Sequence, residues 1–111
     1  MRRVFKILSF LVVASIVVSV GACLFIVMGY EQAFEETIDG DTKTIVSQRF
    51  GSPSLIEPST KPYLRYASVP CKAPCVERLW WEHPVLRGIE AWSVEFDANG
   101  KVVDKAHWAS P

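Results

Sequence analysis

The sequence predicts an α+β protein: an N-terminal transmembrane helix followed by a small domain of two short helices and a three- to four-stranded antiparallel β-sheet. Three observations carry that prediction. An uncharged apolar run extends from Ile7 to Tyr30, a short apolar stripe is bounded by Asp41 and Gly51, and alternation over Ile89 to Asp97 leads into an Ala98-Asn99-Gly100 turn.

The apolar run comes first. At about 1.5 Å per residue it reaches roughly 36 Å, enough to cross a hydrocarbon core of about 30 Å with some tilt. Arg2, Arg3 and Lys6 precede it, and Glu31, Glu35 and Glu36 follow. Basic flanks stay cytoplasmic, so the expected topology puts the N-terminus in the cytoplasm and the remainder outside, in the periplasm of a bacterium. The chain divides accordingly into residues 1–30, the cytoplasmic terminus and anchor, and residues 31–111, the periplasmic domain. A cleaved secretory signal has a shorter apolar core and a small-residue cleavage site, neither of which fits here. Val20-Gly21-Ala22-Cys23 resembles a bacterial lipobox, which makes Cys23 a lipidation candidate, yet Leu24 to Met28 continue apolar where lipoproteins turn polar. Either route holds the domain at a membrane.

From Glu31 onward nine Lys and Arg face twelve Asp and Glu, a mildly acidic balance that argues against nucleic-acid binding. The outer part has about 80 residues, a size at which a core is limited and a covalent staple is useful. Cys71 and Cys75 in C-K-A-P-C supply one, since the periplasm is oxidising and a turn brings the sulfurs together. The rival readings are a redox pair or a metal site completed by His83 and His107. The spacing departs from C-x-x-C, and neither histidine has a near partner in sequence. No metal and no cofactor are expected.

Glu31 to Ile38 is helix-compatible, with Phe34 and Ile38 on one face, and either continues the anchor or forms a stalk. Asp41 is the expected N-cap of a helix from Thr42 to Phe50, with Ile45, Val46 and Phe50 as its apolar stripe. Gly51 ends it in the left-handed position, and Pro53 blocks its resumption. Ser52 to Thr60 reads as loop, and Lys61 to Val69 as an extended segment. Val76 to Glu82 is a strand rich in Leu and Trp. In Ile89 to Asp97, Trp92, Val94 and Phe96 form a buried face and Ser93 and Glu95 a wet one. Lys101 to Trp108 returns from the turn as its partner.

The stretches Ile38 to Pro53 (I-D-G-D-T-K-T-I-V-S-Q-R-F-G-S-P), Arg78 to Trp81 (R-L-W-W) and Trp92 to Val103 (W-S-V-E-F-D-A-N-G-K-V-V) together resemble the BamE family, also called SmpA/OmlA, of small envelope domains. Related two-helix, antiparallel-sheet domains occur in β-lactamase inhibitory proteins. The resemblance implies a non-enzymatic protein-binding or scaffolding module of the cell envelope, linked to outer-membrane protein assembly or envelope integrity. Two departures stand against a direct transfer: the spanning anchor, and Leu55 to Cys75, which reads as an insertion with its own disulfide.

No phosphate loop, nucleophile elbow or H-E-x-x-H pattern is present, so an enzyme is not expected. Glu77, Glu82, Glu90 and Glu95 are expected on a solvated face. Adjacent Trp80 and Trp81 point to opposite faces of their strand, which makes the more exposed of the two a partner-binding candidate. The open edge of the sheet is a second docking candidate. The expected partners are membrane lipid through the N-terminal helix and one envelope protein. The alternative functions are a thiol redox protein using Cys71 and Cys75, or an inhibitor-like binding domain.

Overall fold

The computed structural model describes residues 1–109 and is α+β. Helix α1 runs from Arg2 to Glu36, about 52 Å at 1.5 Å per residue, and is long and apolar enough to cross a membrane. Residues 31–36 continue this helix. It stops at Thr37, whose extended backbone breaks the ladder while its N–H and hydroxyl both donate to the Ala33 carbonyl.

Helix α2, Lys43–Phe50, is capped one residue later than the sequence predicts. Thr42 is the N-cap, accepting the Ile45 N–H on its hydroxyl, whereas Asp41 accepts the Ile38 N–H at 3.0 Å and the Arg49 guanidinium at 2.7 Å. Arg49 also donates to the Glu36 carbonyl, so Asp41 and Arg49 together tie the end of α1 to α2. The cause is competition: Asp41 has a cation and a turn amide within reach, and the hydroxyl next to it serves the helix. Val46 and Phe50 are buried, while Ile45 stays partly exposed. Gly51 ends α2 with φ 87° and ψ −166°, outside the left-handed helical well but in a region that glycine alone enters readily.

Four strands follow: β1 Leu55–Pro58, β2 Glu77–Glu82, β3 Glu90–Phe96 and β4 Val102–Ala109. They form one antiparallel sheet in the order β1-β2-β3-β4, with a register shift at Glu95 and Phe96 opposite the start of β4. Two expectations are corrected here. The predicted loop at Ser52 to Thr60 contains β1, an edge strand that tolerates Pro58 at its end. Lys61 to Val69 is a series of turns, because its partner is the sheet's face and not its ladder.

One face of the sheet, carrying Leu79, Trp81, Trp92, Val94, Phe96 and Val102, packs against Val46 and Phe50 of α2 and Ala33 of α1. Tyr30 lies 5.3 Å from the Trp92 ring and 6.1 Å from Phe50. Cys23, Val27, Tyr30, Ala33, Phe34 and Thr37 make one stripe of lowered exposure along α1 at helical spacing. The last turns of the apolar helix therefore belong to the domain core.

The opposite face is not wet, contrary to the alternation argument. Ser93, Ala91 and Trp80 are buried there under Tyr63, Tyr66, Ala67 and Trp108. Residues 59–75 form a third layer, so β2 and β3 are covered on both sides.

Candidate functional site

Every second residue of β2 and β3 points toward the third layer, which brings Arg78, Trp80, Ser93 and Glu95 together with Trp108 of β4. Arg78 is the pivot. Its Nε donates to Glu57 Oε1 at 2.6 Å, Nη2 reaches the Val69 carbonyl at 3.2 Å, and the guanidinium carbon lies 5.3 Å from the Trp80 ring centroid and 5.9 Å from that of Trp108. Glu57 also accepts the Tyr63 backbone N–H and, at 3.4 Å, the Trp80 indole N–H. The buried charges are thus paired, hydrogen-bonded and stacked, as a desolvated ion pair requires.

A second cluster lies toward the β2–β3 turn. Glu82 accepts the Tyr63 and Tyr66 hydroxyls and the Arg65 guanidinium, and the Tyr66 hydroxyl accepts the Gly88 N–H at 2.8 Å. Burial alone would raise the Glu82 pKa, but these hydrogen bonds and the Arg65 charge outweigh it and the net shift is downward. Burial, then the hydrogen bond to Glu82, pushes the Tyr63 phenol up to about 12.

Cys71 and Cys75 are bonded, with Cα atoms 5.8 Å apart, as the spacing predicts. Their loop walls a cleft of about 480 Å³ whose floor is Arg78, Glu95 and Trp108 and whose far side is Val103 and Asp104 of β4. Burial is the main cause that raises the Glu95 pKa, with neighbouring Asp104 adding to it and Arg78 opposing it. Glu95 and both sulfurs lie within 4.8 Å of one another, but the sulfurs are bonded to each other and offer no thiolates to a metal. Neither histidine joins them. His83 closes the β2–β3 turn, and His107 stacks on Trp92 and meets Glu90 at 3.0 Å.

Beside the cleft, the outer edge of β4 is partly open. Gly40 and Asp41 exchange backbone hydrogen bonds with Val102, covering the strand's first residue. Beyond it, the Lys105 N–H turns back to its neighbour Asp104 Oδ1 at 2.8 Å, and among the described residues no strand pairs with this edge.

The tryptophan expectation is corrected. Trp80 and Trp81 do point to opposite faces, but both are 0 % exposed: Trp80 lies under Tyr63 and Tyr66, and Trp81 stacks on Phe50 and donates to the Gly51 carbonyl at 3.0 Å. Neither presents a surface. Cys23 is a free thiol on an unbroken helix. All four glutamates expected on a solvated face are half-buried: Glu82 and Glu95 in the clusters just described, Glu77 beside Lys43 and Glu90 beside His107. Sequence reasoning missed Glu57, Arg78 and Trp108 as a group. The period-two spacing of Arg78 and Trp80 was the available signal, and nothing in the sequence pointed to Glu57.

No family, no curated protein and no solved structure matches this chain. The resemblance to the BamE family rests on its quoted residues alone.

Proposed function

We propose that the chain is a single-pass protein of the bacterial cell envelope, with its N-terminus in the cytoplasm and a non-enzymatic, protein-binding domain in the periplasm. The observation that carries the binding role is the open edge of β4 beyond Val102, lying beside the cleft under the Cys71–Cys75 loop. An extended segment of a partner adds to that edge through main-chain hydrogen bonds, and one of its side chains enters the cleft. The anchor confines the domain near its neighbours and raises their effective concentration. The BamE-like sequence stretches favour an envelope-assembly partner.

The test is photocrosslinking in intact cells from position 103, on the far side of the cleft. Lys105→Pro removes the outward N–H and abolishes the crosslinked species while the domain stays folded, whereas Lys105→Ala retains it. An unchanged pattern with Lys105→Pro rejects strand addition.

A second reading is thiol exchange at Cys71 and Cys75, favoured by the Glu95 carboxyl lying within 4.8 Å of both sulfurs, where it can supply a proton to a leaving thiolate. Resistance of the disulfide to mild dithiol reductant rejects it. Acylation at Cys23 is a third reading, about the anchor alone, and intact mass of the extracted protein decides it: lipidation removes residues 1–22 and adds acyl mass.

A further inference from the structure

The turn between β2 and β3, residues 83–89, folds back beside α1. His83, Val85 and Leu86 line an apolar groove of about 380 Å³ with Ser19, Val20, Cys23 and Leu24. Most N–H groups of the turn have protein partners. His83 Nδ1 accepts the N–H groups of Val85 and Leu86 at 3.1 and 2.9 Å, the Tyr66 hydroxyl accepts that of Gly88, and the Leu86 carbonyl accepts those of Ile89 and Glu90. Its apolar side chains, by contrast, face outward: Val85 is 71 % exposed, Ile89 47 % and Leu86 40 %. Partnered N–H groups beside exposed apolar side chains suit the membrane interface, where headgroups and water serve the remaining carbonyls and the Arg87 N–H, whereas water alone penalises such side chains.

The helix length fixes what lies against this turn. Lys6 is the last charge before the apolar run. A hydrocarbon core of about 30 Å measured up the helix from Lys6 ends about 20 residues later, near Ile26. The turn meets α1 at Ser19 to Leu24, below that level. From Lys6 to Val18 the rise is only about 18 Å, so a bilayer that α1 spans reaches the turn. Phe25, one residue beyond Leu24 and still below the level of Ile26, is 80 % exposed on the helix.

We propose that the β2–β3 turn is a second membrane contact: Val85, Leu86 and Ile89 enter the outer leaflet of a phospholipid bilayer beside α1, and exposed Arg87 meets the phosphates. This rests on the membrane-spanning reading above. The domain then sits on lipid in a fixed orientation, with the Ala98-Asn99-Gly100 hairpin pointing away from the membrane.

The test uses the full chain with Cys23→Ser, reconstituted in phosphatidylcholine and phosphatidylglycerol vesicles, the Cys71–Cys75 disulfide left intact. An environment-sensitive fluorophore is placed in turn at Val12→Cys, Val85→Cys, Leu86→Cys and Asn99→Cys, and quenching by acyl-chain nitroxide lipids is measured. Strong quenching at 12, and several-fold more at 85 and 86 than at 99, is expected. Quenching at 12 with 85 and 86 no different from 99 overturns the second contact and leaves the span standing. No quenching at 12 overturns the span, and the proposal with it. A blue-shifted label at 85 or 86 that lipid does not quench identifies protein, including a second copy of this chain, as the occupant and overturns the proposal.

Discussion

Glu57 and Arg78 face each other across the β1–β2 ladder, with Oε1 and Nε 2.6 Å apart and side chains 1 % and 5 % exposed. A pair this dry is stabilising only while both members are present, since either charge alone is left without water or counter-ion. Glu57→Ala is expected to cost about 3–5 kcal/mol in denaturant unfolding, and the double substitution Glu57→Met with Arg78→Met to recover most of it. A double variant as unstable as the single one would contradict this account of the third layer.

The two adjacent tryptophans are core residues of different layers. Trp80→Ala and Trp81→Ala are each expected to lose about 3–5 kcal/mol. Trp81→Phe keeps the stack on Phe50 but leaves the Gly51 carbonyl without its indole donor, a smaller loss of about 1 kcal/mol. Thermal unfolding checks all three, and a neutral Trp80→Ala would mean that the cover over it is not formed.

Glu95 has a folded pKa raised above the ordinary carboxylate value of 4.5, chiefly by burial. Its folded state holds the proton more tightly, so its contribution is fully present below the unfolded pKa and is lost as pH rises through the folded one. At pH 7 the ionised carboxylate is a liability. Glu95→Gln should raise Tm by a few degrees at pH 7, with the gain shrinking as pH falls through the raised folded pKa and largely gone once pH is below the unfolded value of 4.5. Melting curves across that range are the check, and a gain that grows toward acid would refute the assignment.

The local grammar of the chain was legible because its causes are local. Thr42 to Gly51 is a helix stopped by a glycine, and Trp92 to Val103 is a strand and a hairpin in which Asp97 Oδ1 accepts the N–H groups of Asn99 and Lys101. Even there, Asp41 went to Arg49 eight residues away, and the cap passed to Thr42. The misread parts depend on distant residues. Ser93 looked wet because nothing in β3 says that residues 59–75 return to cover it, and Leu55–Pro58 became a strand because β2, some twenty residues on, offered it an edge. The candidate site inherits this: Cys71 and Cys75 were found from spacing, whereas Glu95 and Trp108 joined them only through the sheet register.

The disulfide closes a short loop, and chain entropy assigns it about 2 kcal/mol. Replacing both cysteines, Cys71→Ser with Cys75→Ser, should lower stability by about that amount and loosen the wall of the cleft without unfolding the sheet. Hydrogen exchange separates the two: faster exchange confined to residues 66–75 is expected, and faster exchange throughout β2 and β3 would show that the loop is needed for the fold itself.

The central claim is a helix that crosses a bilayer and presents the domain on the far side. Its most direct test is labelling of single cysteines at Arg2→Cys and Asn99→Cys in sealed bacterial spheroplasts with a membrane-impermeant maleimide, in a Cys23→Ser background. Position 99 should react from outside, and position 2 only after the membrane is opened. Reaction at position 2 in sealed cells, or protection at position 99, would contradict the claim.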